Sequence, residues 1–236
     1  MRAALPTLRH ILRDGPKRVV LATHFGRPKG PDAHHSTARF APILASLLSS
    51  KDEGEQDEEE QKETTTPPKN VHFVARGLEA SEEDVSVGGK GAVYLLENTR
   101  FHAYETKPAA AAGDGEDGGF KCPFNVDVFC NEAFSASHRR HTSVTGIDAP
   151  VKCVGFQLLR EVMCLDRILG RAGEVSVAIV GGSKVSDKLP MLKTLSRRVD
   201  CIAIGGNNVN AIAADPSLLD GVRGGRAEIL LLEDGV

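Results

Sequence analysis

Apolar residues recur with a helical period at Leu5, Leu8, Ile11 and Leu12, and Asp14-Gly15 then stops the run. This predicts a helix over about 3–13, followed by a strand over 17–23 built on Val19, Val20 and Leu21. A second helix, about 37–49, carries Ile43, Leu44, Leu47 and Leu48 on one side. Apolar runs predict strands at 70–75, 92–97 and 125–130. A long helix over 155–170 bears Phe156, Leu158, Leu159, Val162, Met163, Leu165, Ile168 and Leu169. Strands at 175–180 and 201–204 flank a helix expected over 186–197, and a last strand is expected at 227–232. Strands alternating with helices predict an α/β chain with a doubly wound parallel sheet, Rossmann-like, with its ligands at the strand ends.

Two stretches interrupt this rhythm. Residues 51–69 are dominated by Glu, Gln, Asp, Lys and Thr and close on Pro67-Pro68. Such a segment has no apolar face to bury and is expected to be a solvated loop insertion. Residues 107–119 are rich in Ala, Gly and Asp and are expected to be disordered.

Composition narrows the class without deciding it. The 236 residues are 41% hydrophobic and 26% charged, ordinary for a soluble globular protein. A net charge of −3 gives no reason to expect nucleic acid or a membrane surface as partner, and no apolar run approaches the roughly 20 residues a span requires. The five cysteines, Cys122, Cys130, Cys153, Cys164 and Cys201, form no CxxC pair or metal-like spacing and read as buried or idle thiols of a reducing compartment.

The candidate chemistry sits just after predicted strands. Thr23-His24-Phe25-Gly26-Arg27-Pro28 places an imidazole and a guanidinium in one tight turn, and Arg offers a bidentate fork suited to phosphate or carboxylate. Arg100 follows the strand at 92–97, and Arg139 lies within His138-Arg139-Arg140-His141. Each also reads as a surface arginine or a solvated basic turn, yet three basic strand ends can converge on one small anion. Gly181-Gly182-Ser183-Lys184 follows a wholly apolar strand and reads either as a phosphate cradle or as a plain βα turn. Lys184 and Lys188, four residues apart, are expected on one face of the helix over 186–197. The spacing is not that of a Walker A loop, and no GxGxxG with an acidic ribose partner supports a dehydrogenase.

In this order and spacing, the segments 19–30, 95–102, 127–146, 155–165 and 178–206 resemble phosphoglycerate kinase, apart from the two low-complexity insertions. The resemblance implies a two-lobed enzyme: a substrate-binding lobe over 1–153, a connecting helix over 154–170, and an incomplete nucleotide lobe over 171–236. It implies reversible phosphoryl transfer between 1,3-bisphosphoglycerate and ADP, giving 3-phosphoglycerate and ATP, with Mg²⁺ on the nucleotide. Substrate contacts fall on His24, Phe25, Gly26, Arg27, Arg100 and Arg139. Nucleotide contacts fall on Gly182, Lys184, Lys188, Gly206 and Asn207, with Lys184 as the catalytic cation; no residue is assigned as a metal ligand. A cytoplasmic monomer is expected, or a plastid protein if a transit peptide precedes Met1.

Departures from the family pattern set up a competing expectation. The family's opening strand, with Arg-Val-Asp-Phe-Asn and a following arginine, has no counterpart, and its loss is expected to leave a gap in the first sheet. The later metal-associated aspartate is also without counterpart. Gly205-Gly206-Asn207 stands where the family has three glycines, and Asn131-Glu132 replaces Asn-Asp. The alternative is therefore an inactive remnant that binds 3-phosphoglycerate or a protein without turnover.

Overall fold

A computed structural model describes residues 1–50, 71–106, 122–170, 175–182 and 184–232, with the side chains of 168–170 excepted. The expectations for 51–69 and 107–119 fall outside the described residues. The chain divides into two compact units, Met1–Arg160 and Glu161–Val236, and the division lies inside a helix.

In the first unit, α1 (Leu5–Arg13) has Pro6 in its first turn, where a missing N–H costs nothing, and ends before Gly15 at a φ of 64°. β1 (Arg18–Leu21), α2 (Phe40–Ser49), β2 (Val71–Val74) and β3 (Ala92–Leu96) follow. The strands pair in parallel in the order β1-β3-β2. All five residues of β3 are buried, and their alternation builds two cores. Val93 joins Leu5, Leu8, Val19, Leu44 and Leu48. Ala92, Tyr94 and Leu96 join Val74, Leu78, Val85 and Phe124.

The single-turn helix α3 (Ala103–Thr106) precedes β4 (Val128–Asn131). Two further single turns, α4 (Phe134–Ser137) and α5 (Thr142–Thr145), lead to β5 (Val151–Val154), which pairs in parallel with β4. The first unit thus holds two separate ladders, and β1 and β4 are not paired among the described residues. Arg18 stands at this break. Its guanidinium forks onto Glu82 at 2.6 and 2.8 Å and donates to the Asn125 carbonyl at 3.1 Å. That fork holds the Glu82 carboxyl down at about 2.

Helix α6 (Phe156–Gly170) begins directly after Gly155. The second unit contains β6 (Val177–Val180), α7 (Leu189–Leu195), β7 (Cys201–Ile204), α8 (Asn207–Ala214), α9 (Asp220–Arg223) and β8 (Glu228–Leu231). Its three strands are parallel in the order β6-β7-β8. Its core comprises Val180, Leu192, Val199, Ile202, Ile204, Ile212, Leu219 and Val222.

The helix expected over 186–197 is corrected in one respect that matters for the site. Residues Ser186–Lys188 form a 3₁₀ turn, and the α-helix begins only at Leu189. Pro190 explains this, because its ring excludes a preceding helical turn. Lys184 and Lys188 therefore do not share a helical face. Strand β5 and helix α8 were not expected from the pattern.

Candidate functional site

The C-terminal ends of β1, β3 and β4 feed the turns bearing His24 to Arg27, Arg100, and Arg139. β1 and β3 are direct neighbours, so the first two turns emerge side by side, and Thr99 N–H donates to the Thr23 carbonyl at 3.1 Å. Asn98 fastens them. Its buried carboxamide donates to the carbonyls of Phe25 and His35, both at 2.8 Å, while its oxygen caps the Arg100 N–H at 3.1 Å. Glu97 accepts from Ser36 and Thr37 and holds the chain leading into α2.

Gly26 adopts a φ of 68°, and a Cβ there would lie 2.3 Å from Cδ2 of His35. The turn is therefore closed to side chains, and its Gly26 carbonyl accepts from the Arg100 guanidinium. The Phe25 ring packs edge-on against Phe40 at 5.3 Å, beneath the Arg39 guanidinium at 5.5 Å. Its role in the described structure is to anchor the turn.

Positive charge accumulates at this face. The Arg100 guanidinium is held below its ordinary range by lost solvation and then by the charges of Arg139 and Arg27. His24 is lowered by lost solvation and next by Arg100, with smaller contributions from His141 and Arg139. The His24 and His141 rings meet edge-on at 6.5 Å. His141 is itself lowered, first by burial. Against these stands Glu105, fully buried and engaged by Thr99 and Ser143, with its Oε1 3.7 Å from His141 Nδ1. The Nε–H of Arg100 is buried with no partner among the described residues. A desolvated guanidinium with an idle donor, surrounded by like charge, fits an anion.

His24, Arg27 and Arg139 are thus each brought within electrostatic reach of Arg100. The pattern of the sequence did not single out Glu105 or the cap at Asn98. Asn98 was visible as an Asx residue before a turn, whereas Glu105 gave no signal because Ser143 is 38 residues away. A neighbouring cleft of about 910 Å³, lined by Asp32, Arg39, Arg76, Glu97 and His102, mixes both charges and shares none of the four basic residues.

In the second unit the ends of β6 and β7 make a second polar concavity. Gly182 has a φ of 138° and Gly206 a φ of 68°. A Cβ on Gly182 would lie 2.8 Å from Lys188 Cε, and one on Gly206 would lie 3.7 Å from the Gly182 backbone. Asn208 is buried beside them, and neither its carboxamide oxygen nor its nitrogen has a partner among the described residues. Lys184 and Asn207 are exposed. Two side-chain-free turns, a lysine and an unsatisfied amide suit a polyphosphate. No group of three or more His, Cys, Asp or Glu among the described residues is placed to hold a metal ion, so they supply no built Mg²⁺ site.

The family model for phosphoglycerate kinase matches residues 1–217. The phosphoglycerate kinase of Zymomonas mobilis is 37% identical over 220 residues, covering 91% of this chain and 48% of that protein. The enzyme of Saccharomyces cerevisiae is 34% identical over 215 residues, covering 86% and 47%. The solved phosphoglycerate kinase of Coxiella burnetii superposes with a TM-score of 0.69 at 22% identity, over 97% of this chain and 56% of its own, a likeness of fold. That of Pyrococcus horikoshii gives a TM-score of 0.64 at 25% identity, over 95% and 55%. The chain spans about half the length of the curated relatives it matches. With parallel sheets, basic strand ends and these matches in agreement, the chain belongs to the phosphoglycerate kinase family.

Proposed function

We propose that the chain carries out the two binding tasks of a phosphoglycerate kinase, holding 3-phosphoglycerate or 1,3-bisphosphoglycerate in the first unit and the phosphates of ADP or ATP in the second. The observation that carries this reading is the crowding of Arg100 by Arg27, Arg139 and His24, with a buried Nε–H that has no partner among the described residues. His24, Arg27, Arg100 and Arg139 receive the substrate's anionic groups; the Gly26 turn and the anchored Phe25 present them. Gly182, Gly206 and Asn207 border the nucleotide phosphates, and Lys188 pairs with them. Lys184 neutralises charge that spreads over the equatorial oxygens of the transferring phosphoryl group. Mg²⁺ would supply further neutralisation as a companion of the nucleotide. On this reading the chain works as a cytoplasmic monomer on small-molecule substrates.

Calorimetric titration of the 236-residue chain with 3-phosphoglycerate tests the reading. Arg139→Ala should weaken binding by roughly 1–3 kcal/mol, the loss of a charge-assisted hydrogen bond. Glycerate, which lacks the phosphate, should bind far more weakly. Equal affinity of the variant and the parent chain would remove Arg139 from the site, and equal affinity for glycerate would remove the phosphate preference.

A further inference from the structure

Cys130 and Cys153 are register partners on the adjacent parallel strands β4 and β5. Neighbouring strands lie about 4.8 Å apart, inside the roughly 4.4–6.8 Å that separates the Cα atoms of disulfide-bonded cysteines. Register partners project to the same face of a ladder, which sets the two thiols side by side. Both are free, Cys153 exposed and Cys130 half-buried. Cys201, by contrast, pairs with Val177 and Glu228, and Cys122 and Cys164 lie outside the strands.

We propose that Cys130 and Cys153 are a dithiol that low-molecular-weight disulfides oxidise to an intramolecular bridge, stapling β4 to β5. Burial, then the charge and contact of Cys153, holds the Cys130 thiol well above the ordinary range. Cys130 therefore stays protonated, which leaves the exposed Cys153 as the first nucleophile. The Cys153 thiolate attacks one sulfur of the external disulfide and expels one thiolate. Cys130 then gives its proton to solvent, attacks the Cys153 sulfur of the mixed disulfide and expels the second thiolate. The two cysteines lose two electrons in all, and the external disulfide is reduced to two thiols.

The position gives the bridge consequences. Just beyond it, Gly155 N–H donates to the Asn131 carbonyl at 2.9 Å, and Glu132 accepts from Thr7 at 2.8 Å. Asn131 also begins the turn that leads to Arg139, accepting from Ala133 N–H at 3.0 Å. Oxidation thus locks the root of a basic turn to the start of α6.

The test is to incubate the reduced full chain with oxidised glutathione at mildly alkaline pH, quench with acid and map the peptides by mass spectrometry. The same reaction is run in concentrated guanidinium chloride. The expected product in the native chain joins the Cys130 and Cys153 peptides with loss of two hydrogens, a preference that vanishes in denaturant. Cys130→Ser should instead accumulate a lasting glutathione adduct on Cys153. Persistent glutathionylation of Cys153 beside a free Cys130 in the parent chain would overturn the proposal. So would identical pairing in native and denaturing conditions.

Discussion

The carboxylate of Glu105 accepts from both the hydroxyl and the backbone N–H of Ser143, at 2.6 and 2.9 Å. It also accepts from the Thr99 hydroxyl at 3.1 Å, so one buried anion joins the turn bearing Arg100 to the start of α5. Its charge lies beneath the basic face and raises the proton affinity of His24 and His141.

Glu105→Gln keeps the shape but turns an amide donor toward groups that already donate. Leaving one of them unpaired in a buried site should cost roughly 1.5–3 kcal/mol. Urea denaturation reads this cost directly. Histidine titration by NMR should place His24 and His141 lower still than in the parent chain, and an upward movement would contradict the arrangement.

The pH dependence of stability has a definite sign. His24 and His141 are lowered in the fold, so below the ordinary histidine value of about 6.5 the unfolded chain binds protons that the native chain refuses. Their contribution is complete above that value and declines as pH falls toward the lowered native values. Glu82 adds a second decline, beginning near the ordinary carboxyl range and running down through about 2. Denaturation midpoints measured across acid pH should fall in two stages, the first reduced by phosphate monoesters that hold the histidines protonated. Stability rising on acidification from neutrality would refute this.

Gly155→Ala tests the junction at the head of α6. A Cβ there would lie 1.5 Å from Glu132 Oε2 and 3.0 Å from Thr7 Cγ2. Glu132 is not free to swing away, because its other oxygen accepts from Thr7 and from Gln157 N–H. Displacing it should cost about 1–3 kcal/mol, readable as a lower urea midpoint. A variant as stable as the parent would show that the junction relaxes without loss.

Gly182→Ala addresses the second unit. An L side chain at a φ of 138° is strained, and its Cβ would meet Lys188 Cε at 2.8 Å. Displacement of the lysine should weaken ATP binding by roughly 1–2 kcal/mol, that is about 5–30-fold, with the fold retained by circular dichroism. Unchanged ATP affinity would detach this turn from the nucleotide.

Much of this architecture was legible in the chain because apolar runs such as 92–96 are bounded by glycine-rich or polar turns. Strand β5 escaped notice for a physical reason: Val151, Lys152, Cys153 and Val154 are all exposed, so burial imposes no alternation on them. Helix α8 opens on Asn207-Asn208, which carries no helix signal of its own. The four-residue spacing of Lys184 and Lys188 misled because Pro190 delays the helix. The basic residues announced themselves by type and place, whereas Glu105 and the idle amide of Asn208 acquire meaning only from packing between distant segments.

The placement of β3 between β1 and β2 also bears on how the chain is made. Among the described residues, the partner of both earlier strands is β3, which is complete only when residues 92–96 leave the ribosome. At about 5–20 residues per second, the roughly 70 residues separating β1 from β3 keep it waiting for several seconds. During that interval the nascent Val19-Val20-Leu21 segment lacks the β3 partner it has in the fold, which leaves its backbone groups available to chaperones and to neighbouring nascent chains.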